Sequence, residues 1–272
     1  MPELPEVETT RRGVEPYLLG HQIVRLSVHE PRLRWPVDPD LPGLVAGTRV
    51  QRAGRRAKYL LFELDSGGTL LLHLGMSGSL RVLPADTPRK RHDHFDLVLD
   101  SGQALRFNDP RRFGSLHYLV GDPATHPLLA RLAPEPFDDA FDTDYLWCKT
   151  RGRRVAIKPL IMNSQLVVGV GNIYASEALF RARIRPRRQA RGLTRVEVAR
   201  LVTAIREVLA MAVEVGGTTL RDYVGADGNP GYFRQKLFVY ERPDEPCRVC
   251  GTPVRHALQG QRSTYWCAAC QH

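Results

Sequence analysis

Two groups of residues in this chain have types and spacings that could do chemistry. The first is the start, Met1-Pro2-Glu3-Leu4-Pro5-Glu6-Val7-Glu8. Removal of Met1 would leave Pro2 with a free amine and three carboxylates close behind it. An α-amino group has a pKa of about 7.7–8.0 against about 10.4 for lysine, so far more of it is neutral at pH 7. A neutral amine can attack a carbon and form a Schiff base. Proline's amine is secondary, so its imine is a cation and a good electron sink. Glu3 would then stand beside the reacting carbon as acid or base. The same residues also suit a plain helix start, with proline in the first turn and acids at the positive end of the dipole. Residue types alone leave both readings open.

The second group is at the other end. Cys247-x-x-Cys250 is followed, after sixteen residues, by Cys267-x-x-Cys270. Two such knuckles supply four thiolates in a tetrahedron, which suits one zinc ion. Four sulfurs leave no open position, so the metal is expected to be structural. The fifth cysteine, Cys148, reads as a small buried hydrophobe.

Charge points to the partner. The formal net charge is +10 and the pI about 9.7. Between Lys149 and Arg191 eleven basic side chains stand against one acid, Glu177. Such a footprint suits a polyanion, nucleic acid first, although a solvated basic face would look the same. No apolar run reaches the roughly 18 residues needed to span a bilayer, so no membrane is expected. The start lacks a basic and then apolar signal segment, which favours the cytosol.

These residues need elements to position them. Pro5 to about Leu19 reads as a helix ended near Gly20. Residues 22–120 read as strands, with hairpin turns at Asp65-Ser66-Gly67-Gly68 and Asp100-Ser101-Gly102, at the spacing of a β-sandwich or barrel. Residues 121–150 read as a linker. Beyond it, Pro159–Val168 and Asn172 to about Ile184 read as short helices. Thr194-x-x-Glu197 is a capping box opening a longer helix closed by Gly216-Gly217. Two strands bearing the cysteine pairs finish the chain.

Three further clusters stand at the ends of these elements. His73-Leu74-Gly75-Met76-Ser77-Gly78 would project Met76 from a turn, and Asn108-Asp109-Pro110-Arg111-Arg112-Phe113-Gly114 offers an arginine and an aromatic two apart. Apolar wedges and arginine are what proteins push into a base stack, though Met76 and Phe113 also read as ordinary core. Gly169-Val170-Gly171-Asn172 precedes a helix whose first amides could hold a phosphate.

Taken in order, Pro-Glu-Leu-Pro-Glu-Val-Glu, His-Leu-Gly-Met-Ser-Gly, Asp-Pro-Arg-Arg-Phe-Gly, Val-Gly-Val-Gly-Asn-Ile-Tyr-Ala-Ser-Glu and the cysteine knuckles closely resemble the formamidopyrimidine-DNA glycosylase/endonuclease VIII family over essentially the whole chain. Leu4 favours the formamidopyrimidine branch, since the other branch typically has Gly there. The resemblance implies a multidomain α+β fold. An N-terminal β-sandwich with the first helix (1–131) and a linker (132–150) precede a helix–two-turn–helix domain with a lesion loop (151–231). A zinc-ribbon finger (232–272) ends the chain. It implies a bifunctional glycosylase and abasic-site lyase of base excision repair. Such an enzyme removes 8-oxoguanine and formamidopyrimidines from duplex DNA through a Schiff base, then cuts by β,δ-elimination. Double-stranded DNA holding an oxidised base or abasic site is the implied partner, one zinc the cofactor, and a cytoplasmic, nucleoid-associated monomer the expected form.

By the same resemblance Pro2 is the nucleophile, Glu3 moves the proton, and Glu6 supports it. Lys58 and Lys158 match lysines at phosphates, Lys58 also assisting the later steps. His92, Asn172 and Arg262 match backbone contacts, with Arg262 also counted among the catalytic residues. Met76, Arg111 and Phe113 match the residues that fill the gap left by a flipped nucleotide, and 216–231 resembles the loop that closes on the base. Asn163-Ser164 departs from the Asp-Asn of many relatives. The alternatives are an endonuclease VIII-like enzyme for oxidised pyrimidines, or a zinc-stabilised protein that binds damage without catalysis.

Overall fold

A computed structural model of the chain describes residues 2–217 and 237–272. The expected lesion loop lies, from residue 218 onward, outside the described residues. The chain divides into two compact units, one holding 2–130 and 215–217, the other 131–214 and 237–272.

The first unit opens with helix α1 (Leu4–Leu18), with Glu3 at its N-cap and Pro5 in its first turn. Gly20, at φ +76°, turns the chain out of it. Eight strands follow: β1 (Ile23–Val28), β2 (Val50–Arg56), β3 (Tyr59–Leu64), β4 (Gly68–His73), β5 (Ser79–Pro84), β6 (Asp93–Leu99), β7 (Gln103–Asn108) and β8 (Ser115–Val120). They form two four-stranded sheets, ordered β1-β6-β7-β5 and β2-β3-β4-β8. Val7, Val14 and Leu18 of α1 join Leu60, Phe62, Leu70, Leu97, Leu105 and Phe107 from both sheets in one apolar core. A short helix, α2 (Leu41–Val45), interrupts the region read as strands only.

The hairpins follow local rules. Gly67 and Gly102 take φ +82° and +77°, and their amides bond back to Leu64 and Leu99 at 3.0 and 3.1 Å. These are three-residue loops with glycine in the left-handed position. The β5–β6 connection is different. Both strands pair antiparallel with β7, so they run parallel and the chain must cross over β7 between them.

The second unit contains α3 (Thr143–Thr150), α4 (Ile157–Ile161), α5 (Asn172–Arg181), α6 (Arg195–Glu214) and the hairpin β9 (Val254–Gln259) and β10 (Arg262–Cys267). Part of the segment expected as a linker is therefore helical: Asp142 accepts the Tyr145 amide at 2.7 Å and starts α3. Cys148 is exposed there rather than buried, because the inward face of α3 is set by Leu146 and Thr150. The helix expected over 159–168 stops at Ile161. Asn163 turns the chain instead, its side chain accepting the Gln165 amide at 2.9 Å and its carbonyl that of Leu166 at 2.8 Å. The helix expected to run to about Ile184 ends at Arg181, where Arg183 takes φ +58° and Ile184 N bonds to Leu179 O. Helix α6 keeps its expected box, Thr194 N donating to Glu197 at 2.7 Å and Glu197 N to Thr194 Oγ1 at 3.3 Å. It buries Val198, Leu201, Val202, Ile205, Val208, Leu209 and Ala212 as its apolar spacing predicts. The first cysteine pair lies just before β9 rather than on it.

Candidate active site and metal centre

The start of α1 is tightly held. Pro2 is buried, and Glu3 and Glu6 are 2% and 1% exposed. Glu6, at the third helical position, accepts the Glu3 amide at 2.8 Å, as a capping box requires. That bond fixes the backbone between Pro2 and Glu3. Gly217, at φ +78°, lies over the same carboxylate, and a Cβ there would stand 3.1 Å from Glu6 Oε1.

Ion pairs set the direction of α1. Arg11 donates to Ala53 O at 3.1 Å, and Arg55 donates to Glu8 at 3.2 Å. Arg55 also donates to Ala57 O at 2.8 Å. Moving toward Pro2 along α1 is therefore moving toward the β2–β3 turn, which is Ala57-Lys58. Ala57 there takes φ +54°, a conformation an alanine adopts only under constraint. Three arginines hold Glu8 below the usual carboxylate range although burial opposes this.

The other expected residues of this unit collect at the same end of the sandwich. Tyr59, next to Lys58, pairs with His73, and His73 with Ser115. Burial, with Lys58 and Arg34 nearby, pushes His73 down to about 4, so it is neutral at pH 7 and accepts the Gly75 amide on Nδ1 at 2.9 Å. The turn beyond it carries Met76, half-buried. It meets the 109–114 loop at van der Waals range. A Cβ on Gly75, at φ +70°, would stand 2.4 Å from Gly114 N.

Asp109, fully buried, joins the two loops. It accepts Ser77 Oγ at 2.6 Å, Gly114 N at 2.8 Å and Arg111 N at 3.3 Å. Its own amide bonds to His92 O at 3.1 Å and its carbonyl contacts the His94 ring at 2.6 Å. The loop so fixed leaves Phe113 42% exposed, with the Arg111 guanidinium 5.0 Å from its ring centre. Phe113 is thus not core. Asp109→Ala would strand two buried donors, Ser77 Oγ and Gly114 N, each costing about 1–3 kcal/mol. We expect a clear drop in the thermal midpoint and weaker binding to a lesion duplex; an unchanged midpoint would show that the loops hold without it.

In the second unit, Lys158 is 1% exposed. Its ammonium donates to Ser263 O at 2.9 Å and Thr264 Oγ1 at 2.8 Å. It thereby grips β10 immediately after Arg262, which is exposed beside the two-residue turn Gly260-Gln261 (φ +56° and +61°). Asn172 is the first residue of α5. Its Nδ2 reaches Tyr240 Oη at 3.4 Å, and its Oδ1 is buried with no partner among the described residues. Glu177, 2% exposed, accepts the amides of Phe238, Val239 and Tyr240, each at 2.9 Å. Burial raises its carboxyl while these amides oppose the rise.

The sulfurs of Cys247, Cys250, Cys267 and Cys270 lie within 4.8 Å of one another. Cys250–Cys267 is 3.4 Å and Cys247–Cys270 4.0 Å. A tetrahedral ion with sulfur at about 2.3 Å sets its ligands about 3.8 Å apart, so the four fit one zinc. Burial pushes the Cys267 and Cys270 thiols up, so four thiolates at this spacing need a cation. Gln271 ties the knuckle to the turn that follows α5, accepting Cys267 N at 2.9 Å and donating to Ile184 O at 2.8 Å.

Sequence reading gave no role to Glu8, and it missed Arg55 and Gln271, whose partners Glu8 and Ile184 lie far along the chain. Asp109 and Ser77 each stood inside a motif, but nothing local pairs them across 32 positions.

Comparison with known proteins agrees with this layout. Residues 1–116 match the formamidopyrimidine-DNA glycosylase N-terminal domain. Residues 132–224 match its H2TH domain, and 244–272 the zinc finger found in FPG and IleRS. The formamidopyrimidine-DNA glycosylases of Thioalkalivibrio sulfidiphilus and Stutzerimonas stutzeri are 60% and 55% identical, covering 100% of each chain. The MutM (Fpg) protein of Thermus thermophilus is 42% identical, with a TM-score of 0.90 over 99% of this chain and 98% of that one. A Lactococcus lactis Fpg mutant in complex with DNA containing Fapy-dG is 33% identical, with a TM-score of 0.94 over 100% of both.

Proposed function

This chain belongs to the formamidopyrimidine-DNA glycosylase family, and on that premise we propose how its residues divide the work. It is a DNA glycosylase for oxidised purines, and abasic-site lyase activity is typical of its family. The substrates we assign are 8-oxoguanine and formamidopyrimidines in duplex DNA. The observation that carries the mechanism is the buried start of α1, where Glu3 and Glu6 follow Pro2 and Glu6 ties down the Glu3 amide at 2.8 Å.

A base inside a duplex is out of reach, so the nucleotide must be extruded, at a few kcal/mol. Met76, Arg111 and Phe113 fill the gap and offset part of that cost. The Pro2 nitrogen attacks C1′ of the sugar, the C1′–base bond breaks, and the base leaves with the electron pair and takes up the proton that the Pro2 nitrogen sheds. Glu3 gives a proton to the sugar as its ring opens, leaving a C1′ iminium on Pro2. That cation acidifies C2′–H. Loss of this proton expels the 3′ phosphate, and a second elimination expels the 5′ phosphate. Lys58 holds phosphate and assists these later steps. Glu6 fixes Glu3. His92, Asn172 and Arg262 hold the bent backbone, which makes binding salt-dependent, and the buried Lys158 acts through its grip on β10 beside Arg262.

The domains we assign are 1–131, catalytic; 151–231, DNA-binding; and 232–272, the ribbon, joined through 132–150. We assign a monomer acting in the cytoplasm at the nucleoid. Among the described residues no helix is long and apolar enough to cross a membrane.

Borohydride reduction on an 8-oxoguanine duplex should trap one covalent adduct per chain, and a chain retaining Met1 should give none, because its Pro2 nitrogen is an amide. Absence of an adduct with Met1 removed would sink the imine. Faster release of thymine glycol than of 8-oxoguanine would move the chain to the pyrimidine-directed branch.

A further inference from the structure

The crossover between β5 and β6 carries a cationic tip that the roles above do not use. It runs through Thr87-Pro88-Arg89-Lys90-Arg91-His92, and Arg89, Lys90 and Arg91 are all exposed. Among the described residues none of the three takes part in an ion pair. The acid of the same connection, Asp86, stands on its earlier half.

The tip is built rather than merely solvated. Arg106, on β7 and 2% exposed, lies beneath the crossover. It holds Asp96 with two bonds, at 2.7 and 2.9 Å, and donates to Thr87 O at 2.9 Å and Pro88 O at 3.1 Å. Asp93 accepts the Lys90 amide at 2.6 Å and Asn108 Nδ2 at 2.8 Å, and the same Asn108 nitrogen reaches Arg91 O at 3.1 Å. Four backbone groups of the tip are thus tied to buried or half-buried side chains, which directs its cationic side chains outward on a fixed backbone. Burying a guanidinium and two carboxylates costs solvation that such pairs only just recover, so the network is better explained by the shape it imposes than by stability.

That shape places the tip beside the void-filling loops. Asp93 pairs with Asn108, and Asn108 with Ser79, so Lys90, Arg91 and His92 lie at the end of the sheet from which the Met76 turn and the Arg111–Phe113 loop extend. A rigid +3 surface next to a wedge meets the backbone of the duplex that the wedge enters.

We propose that Arg89, Lys90 and Arg91 form a phosphate-binding patch for duplex DNA flanking the lesion, preorganised by Arg106, Asp93 and Asn108. The proposal rests on the functional reading above. It adds up to three phosphate contacts, each of which changes the slope of log K against log salt by about 0.9.

The test measures binding of the full, Met1-processed protein to a duplex bearing a tetrahydrofuran abasic analogue, from 0.1 to 0.5 M salt. The triple variant Arg89→Ala, Lys90→Ala, Arg91→Ala should lose about 2–3 units of slope. It should bind about 10²–10³-fold more weakly at 0.1 M than the parent once the two lines are referenced to 1 M. Arg89→Lys with Arg91→Lys should keep the parent slope. If the triple variant does not fold, the single alanine variants carry the test, at about 0.9 units each. A parental slope in the alanine variants overturns the proposal, as does a slope lost equally in the lysine pair. Failure of the parent itself to bind or cut lesion DNA would instead sink the underlying reading.

Discussion

Glu3→Gln should lower single-turnover release of 8-oxoguanine by about 10²–10⁴-fold, the usual contribution of a positioned acid or base. Binding to a duplex with an unreactive abasic analogue should stay near the parent value. The substitution keeps size and one acceptor oxygen but removes the transferable proton. The site gives the lost proton no simple substitute. Glu6, the neighbouring carboxylate, is 1% exposed and spends Oε2 on the Glu3 amide. Solvent is excluded from both. Because Glu3 is also the N-cap of α1, the thermal midpoint must be compared; loss of excision with an intact midpoint assigns the effect to chemistry. Full excision by this variant would remove Glu3 from its role.

What was legible beforehand was what is local in sequence. Thr194 and Glu197 cap α6 because the box spans four residues, and Gly67 and Gly102 turn hairpins because their positions need positive φ. The cysteine spacing names its own chemistry. The start of α1 was ambiguous because a helix cap and an active site call for the same residues; Glu3 and Glu6 are in fact both, since the cap fixes the backbone beside Pro2. What stayed illegible depends on partners far apart. Ser77 meets Asp109 across 32 positions, and Glu177 meets residues 238–240 across more than 60. The parallel relation of β5 and β6, which creates the basic tip, follows from their shared partner β7 and has no periodic signature. Helix α3 was hidden because one capping aspartate and two inward residues in eight make a weak pattern.

The other large effect concerns the metal. Cys247→Ala should reduce bound zinc from one per chain to none and weaken lesion-duplex binding by about 10-fold or more at 0.1 M salt, the loss of the Arg262 phosphate contact. The reasoning starts from size. The described ribbon, residues 237–272, is a two-stranded hairpin with a small apolar cluster of Val239, Val254 and Tyr265 against Phe180. Two strands alone are marginal in water, and units below about 40 residues usually need a staple. A four-thiolate site supplies about 10–16 kcal/mol of apparent binding energy, which exceeds what so small a core can provide. Without it the knuckle that Gln271 docks on Ile184 comes loose, and with it Cys267 at the end of β10. The Lys158 ammonium would then lose Ser263 O and Thr264 Oγ1 while still buried, which carries the damage into α4. Arg262 would no longer be presented from a fixed turn. Zinc content by elemental analysis and amide exchange in β9, β10 and α4 report this independently of activity. A variant that lacks zinc yet binds lesion DNA as tightly as the parent would show that the hairpin holds Arg262 without the metal.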